Sequence, residues 1–360
     1  MKNVLQVLNY TANYRGNFMD SLKELDEQLH RKGNYCVYFF LISKVSGEKI
    51  DWIAEMIDEN IPVYFMEDSR GRAIKKIRKI IFEHQIEIIH THFLTANQFL
   101  MIKLSNLGMK KDVVIHFHNH AIPSNNFVKR FTRKKLYKGY KMIGVSASVT
   151  EGLRQIYPYN KCYEVDNAID FERLNNYSEL DLDQNNENKD EKICLIFGFD
   201  YERKGVDLAL EAVSQMIERG EKIKLLISLS TNETIVKRKI EERFGEIPCW
   251  VIFIKARNDV ATLYRKADIF LSPSREEGFC YSIVEAAYCG CNVVASWIPA
   301  QKDLKVPGVF WCETENSESL HDAIIKAFDS EKKLNVTEVL RQEYKLEKWG
   351  RQVIEIYEVI

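Results

Sequence analysis

Proline and glycine are scarce in this chain, at 7 and 16 of 360 residues. That scarcity excludes collagen-like repeats, and 46% hydrophobic with 29% charged residues excludes wholesale disorder and a simple coiled coil. Long apolar runs are missing too. None approaches the roughly 18 residues that a membrane-spanning helix needs, and the longest candidate, 35–42, has the length of a buried strand. The first residues open on the strand-like run Asn3 to Leu8, without a signal-peptide layout, so the expected location is cytoplasmic. Excess charge is nearly absent: 51 basic and 52 acidic residues leave −1. With a pI of about 6.7 and no visible nucleic-acid module, no nucleic-acid partner is expected. The 8 cysteines are scattered, several beside apolar neighbours, and read as reduced core residues, not as a disulfide framework.

What is present is a repeated rhythm. At about 100–200 residues per domain the length predicts two domains. Residues 1–170 hold 25 Lys and Arg against 18 Asp and Glu, whereas 171–360 hold 26 against 34, so the first half attracts anions more than the whole does. Short β-branched and aromatic runs alternate with helical periodicity, the mark of βα units and a parallel sheet. Strands are expected near 3–9, 35–42, 62–66, 86–91, 112–118 and 141–145, with helices near 18–30, 72–82, 97–107 and 149–157. Residues 171–192 are too polar for a core and read as an interdomain connection. The rhythm resumes with strands near 193–199, 222–228, 250–254, 268–271 and 292–296 and a helix near 207–216. The expected fold is α/β, with two Rossmann-like, doubly wound domains at 1–170 and 193–343 facing each other across a cleft. Ligands of such sheets sit beyond the carboxyl ends of the strands.

Chemistry concentrates in a few places. Residues 272–287 run from the end of a strand into a helix, so Gly278 lets backbone approach a ligand while free N–H groups at the helix start face anionic oxygens. Glu277 and Glu285, seven residues intervening, could accept hydrogen bonds from vicinal hydroxyls of a sugar or ribose. Equally, Glu276 and Glu277 could be first-turn residues favoured by the helix dipole, and Glu285 a solvated helix residue. Arg203 and Lys204 sit before Gly205 at another strand-to-helix turn, either to neutralise a diphosphate or as solvated loop cations. Histidines cluster at His90-Thr91-His92 and from His116 to His120. If the strand persists, His116, His118 and His120 share a face and could mimic a metal site; a satisfied structural role is the alternative for His90 and His92. From Lys129 to Lys138, cations interleave with aromatics, which suits either a solvated helix or an anionic membrane surface. Residues 70–79 are plainer, with Ile74, Ile77 and Ile81 as a core stripe under solvated charges.

The order Arg203-Lys204-Gly205-Val206-Asp207, then Ala267 to Ser274, then Glu277-x7-Glu285 resembles the family 4 retaining glycosyltransferases of the GT-B fold. Val165 to Asp170 looks like that family's ending of the first domain. Residues 344–360 look like its closing helix, which crosses back onto that domain. The resemblance implies a hexose moved from a nucleoside-diphosphate sugar, most readily a UDP-sugar, to a bacterial surface glycan or a lipid-linked acceptor. It implies no metal and no cofactor. Glu277 would hold donor hydroxyls, Arg203 and Lys204 the leaving diphosphate, and His118 would lie near the reacting sugar. The donor-binding set would be Gly16, Asn17, Gly278, Phe279, Cys280, Tyr281, Ser282 and Glu285. Departures are visible: Arg15 and Asn17 flank a lone Gly16, Phe199 stands where many relatives have arginine, and Cys280 replaces a frequent glycine. The alternatives of another class are a non-catalytic subunit of a partner transferase, and a sugar phosphorylase or nucleotide-sugar epimerase of similar fold, for which no water- or phosphate-handling constellation is visible.

Overall fold

A computed structural model describes residues 2–12, 15–120, 126–176, 191–330 and 336–359. The chain divides into two compact units, Met1–Ala168 together with Leu346–Ile360, and Ile169–Lys345. Each is a parallel sheet with helices in the crossovers.

The first sheet comprises β1 (Asn3–Leu8), β2 (Cys36–Ser43), β3 (Val63–Met66), β4 (Ile86–His92), β5 (Asp112–Phe117), β6 (Lys141–Gly144) and β7 (Cys162–Glu164). Its order is β3-β2-β1-β4-β5-β6-β7. Val4 to Leu8 of β1 are all buried, as expected where both faces of a parallel sheet are covered. The second sheet comprises β8 (Lys192–Phe197), β9 (Ile223–Leu229), β10 (Val251–Lys255), β11 (Ile269–Ser272), β12 (Asn292–Ser296) and β13 (Phe310–Cys312), ordered β10-β9-β8-β11-β12-β13. Direction reverses between β1 and β4 in one sheet and between β8 and β11 in the other. At such switch points the loops leaving two adjacent strands diverge and open a crevice at their carboxyl ends.

The helix Leu346–Glu358 belongs to the first unit. Its Trp349, Val353, Ile354, Ile356 and Tyr357 enter the core beside Leu22, Leu25 and Leu29 of the helix Gly16–His30. Gly350 lies at the crossing with that helix, where a Cβ would meet Gln28 Nε2 at 2.6 Å and turn that side chain aside. The expected connection 171–192 divides differently. Phe171 is buried and packs on Tyr288 at 4.6 Å, so residues 171–176 are part of the second unit. Residues 177–190 lie outside the described residues. Among the described residues no helix is long and apolar enough to cross a membrane.

Candidate active site

The loop after β8 is built by backbone bonds that fold it back on itself: Lys204 N–H donates to Asp200 O (2.9 Å) and Val206 N–H to Tyr201 O (2.9 Å). Gly205 then turns the chain into the helix Val206–Glu218 at φ +68, close against the Pro273 carbonyl, where a Cβ would collide. The loop after β11 lies alongside. Arg275 N–H donates to Arg203 O at 2.9 Å, and the Arg275 guanidinium grips both oxygens of Asp207 at 2.9 and 2.7 Å.

Between these loops Glu277 is nearly buried, with 7% of its side chain exposed. Lys204 Nζ donates to its Oε1 at 2.6 Å, Ser274 Oγ to the same oxygen at 2.9 Å, and Arg203 Nη1 to Oε2 at 3.2 Å. Glu277 therefore precedes the helix Tyr281–Tyr288 and is no first-turn dipole residue, whereas Glu276 is exposed. Asp200 holds the Arg203 Nε at 3.0 Å. Phe199 lies under both cations, 5.5 Å from the Arg203 guanidinium and 5.0 Å from Lys204 Nζ. The Phe199 ring thus supports two cations by cation–π attraction.

Glu285, in the same helix, is 5% exposed and so is not a solvated helix residue. Arg173 pairs with its Oε1, and Tyr264 Oη donates to Oε2 at 2.9 Å. Burial, then the neighbouring Glu285, pushes the Tyr264 phenol up, which keeps it a donor. Cys280 faces inward, its sulfur 3.5 Å from Ser272 Oγ and 3.3 Å from Ser282 Oγ. Burial raises its thiol pKa, so it stays protonated. Beneath the loop, Gln301 donates to Ser272 O and Oγ at 3.2 and 2.8 Å. Phe279 packs on Tyr281 and Tyr344 at 5.2 and 5.8 Å, and Gly278 is buried with it.

In the first unit, Gly16 is the first residue of a helix and has φ +63, while Asn17 is buried in that turn and its carbonyl accepts from Ser21 Oγ. Histidine packing extends across two strands. β4 and β5 align His92 with His116, and His90, His92, His116 and His118 stack with ring centroids 4.2 to 5.4 Å apart. β5 ends at Phe117, so alternation does not carry His120 into the stack. His90, His92 and His116 bring one ring nitrogen each within 4.8 Å of the others. A metal there would have to displace existing bonds, since both nitrogens of His92 are engaged, by Gln6 at 2.9 Å and His118 at 3.2 Å. His90 Nδ1 meets Tyr357 Oη at 2.6 Å. The basic segment forms a helix, Phe127–Tyr137, with Phe127, Val128 and Phe131 exposed at 69%, 66% and 59%.

Sequence reasoning missed Ser274, Asp200, Phe199 in its supporting role, Tyr264, Arg173 and Gln301. Only position relative to a strand end marks Phe199 and Asp200; nothing local marks the others.

Residues 21–173 match the model described as Glycosyltransferase Family 4, and residues 178–339 match Glycosyl transferases group 1. The chain is 23% identical to alpha-monoglucosyldiacylglycerol synthase of Streptococcus pneumoniae over 94% of its own length and 81% of that protein. It is 28% identical to the lipopolysaccharide glucosyltransferase WaaG of Escherichia coli, in a match spanning 35% of this chain and 33% of that one. The crystal structure of Anabaena Alr3699/HepE in complex with UDP and glucose aligns with a TM-score of 0.79 over 100% of both chains at 15% identity. That of WaaG aligns at 0.62 over 97% and 93%. Two consecutive family matches, on two parallel sheets that share the GT-B fold of these neighbours, lead to one conclusion: the chain belongs to the family 4 glycosyltransferases.

Proposed function

We propose that the protein is a retaining, metal-independent hexosyltransferase that uses a nucleoside-diphosphate sugar, most readily a UDP-sugar, as donor and a bacterial surface glycan or lipid-linked sugar as acceptor. One observation carries this reading: Lys204 and Arg203 converge on Glu277 beside the start of a helix, at the switch point of the second sheet. Cations already held in place stabilise the negative charge that develops on a departing diphosphate. Glu277 keeps oxygen acceptors beside them for donor hydroxyls, Glu285 does the same for the ribose, and backbone N–H groups around Gly278 and Phe279 approach the phosphates. The C–O bond to the phosphate breaks as the acceptor oxygen bonds to the same face of the sugar. The departing phosphate oxygen takes the acceptor's proton, so no protein nucleophile is needed. Gly16 and Asn17 are the phosphate-binding residues this reading assigns to the first unit, and Cys280, Tyr281 and Ser282 shape the sugar side. In the first unit, His118 is the hydroxyl-binding group of this reading.

The acceptor class is supported by the helix Phe127–Tyr137. It has no acidic residue, and Lys129, Arg130, Arg133, Lys134 and Lys135 surround exposed Phe127 and Phe131. That composition suits the surface of anionic lipid, where a lipid-linked sugar resides. Co-sedimentation with phosphatidylglycerol vesicles should fall on Phe131→Ser and on added salt.

The test of the whole reading is release of nucleoside diphosphate from a panel of nucleotide sugars. Slow release from one donor without added metal, abolished by Lys204→Ala and by Glu277→Ala, is expected. If no nucleotide sugar binds or turns over, a non-catalytic subunit becomes the better reading.

A further inference from the structure

A chain of hydrogen bonds runs through the core of the first unit from Asp26 to His118, and each link sets the direction of the next. Asp26 Oδ1 accepts from the Cys36 backbone N–H at 2.6 Å. Cys36 Sγ takes an N–H from Gln6 Nε2 at 3.5 Å. With the amide nitrogen of this fully buried glutamine turned to the sulfur, its Oε1 faces His92 Nε2 at 2.9 Å. An amide oxygen only accepts, so His92 carries its proton on Nε2.

Burial pushes the pKa values of His92 and His118 well below the ordinary value, so each ring is neutral and holds one N–H. His92 Nδ1 is then a bare lone pair, and the nitrogen facing it at 3.2 Å, His118 Nε2, must be the donor. The His118 ring is clamped by Phe93, stacked at 3.9 Å and 18°, and by the edge contact with Phe18 at 4.9 Å. Its other nitrogen, Nδ1, has no hydrogen-bond partner among the described residues.

We infer that Gln6 and His92 are positioning residues that lock His118 in the Nε2–H tautomer, so that Nδ1 is offered as an acceptor to a substrate hydroxyl during glycosyl transfer. The part concerning turnover rests on the function proposed above; the tautomer does not. A hydroxyl of the donor sugar or of the acceptor would serve the same nitrogen, and the rate measurements separate the two.

The experiment is long-range proton–nitrogen NMR on the full chain labelled with 15N-histidine, read without ligand and paired with kinetics. In the wild type, His118 should show a protonated Nε2 and an unprotonated Nδ1. His92→Phe removes the acceptor nitrogen, and Gln6→Met removes what fixes it; in both, His118 should become a mixture of tautomers. Donor hydrolysis should fall about tenfold, the scale of one well-made hydrogen bond, if the hydroxyl is the donor's; only transfer should fall if it is the acceptor's. His92→Asn returns an oxygen to the Nδ1 position and should restore both the tautomer and the rate, which general loosening of the core would not allow. A wild-type proton on Nδ1, or an unchanged tautomer in both His92→Phe and Gln6→Met, overturns the inference. The stated tautomer with an unchanged rate in those variants overturns the role in turnover. Absence of turnover with every donor in the wild type defeats the glycosyltransferase reading and leaves the tautomer assignment standing.

Discussion

Lys204 and Glu277 are 73 positions apart in the chain and 2.6 Å apart in space. Both are mostly buried, so removing Lys204 leaves the Glu277 carboxylate with only the more exposed Arg203 as a cationic partner. Lys204→Met should cost about 3–5 kcal/mol of second-unit stability in urea denaturation. Arg203→Met, whose side chain is 33% exposed, should cost clearly less. Adding Glu277→Met to Lys204→Met should recover most of the loss; a double variant no more stable than the single one would refute the pairing argument. Gly205 is a backbone constraint of another kind. Its φ of +68 and the Pro273 carbonyl beside it predict that Gly205→Ala loses at least about 1–3 kcal/mol, whereas Gly220→Ala at a roomy left-handed position should lose less. The two carboxylates and the two cations were legible because loop, glycine and helix start follow one another in the chain. Tyr264, Arg173 and Ser274 were not, because what they do depends on a partner that only folding delivers.

The paired strands β4 and β5 bring histidines into a place where their charge is not tolerated. Burial pushes His116 down to about 3 and drives His90, His92 and His118 the same way. In the unfolded chain these rings take up protons near pH 6.5, so the unfolded state binds more protons below that value. Stability is therefore fully present above about pH 7 and drains away as pH falls from about 6.5 toward 3. His116 by itself accounts for about 2 kcal/mol between pH 7.5 and 5. The urea midpoint of the first unit should fall over that range, and less steeply in His116→Leu; a midpoint that rises on acidification would contradict this. Alternation along a strand foretold that His116 would share a face with His118. It could not foretell where β5 stops, and so placed His120 with His116 and His118. The helix Asp51–Asp58 and the short strands β7 and β13 also escaped notice, being too brief for a periodic pattern to rise above its surroundings.

Over the whole molecule, the chain leaves the first unit after residue 168 and rejoins it at 346. The two crossings meet where Ile169 N–H donates to Tyr344 O at 2.7 Å. The returning helix fills the first unit with Trp349, 2% exposed, so Trp349→Ala should cost about 3–5 kcal/mol. Scanning calorimetry should register that loss in the first unit's transition, with the second unit's transition unmoved. Apolar periodicity is a property of neighbours in the chain, and it was enough to define two successive sets of βα units and the loops at the carboxyl ends of their strands. Which carboxylate meets which cation, which ring lies under them and which way each imidazole holds its proton depend on contacts between residues tens to hundreds of positions apart. Those contacts arise only when packing excludes water and leaves each buried polar atom few partners to choose from.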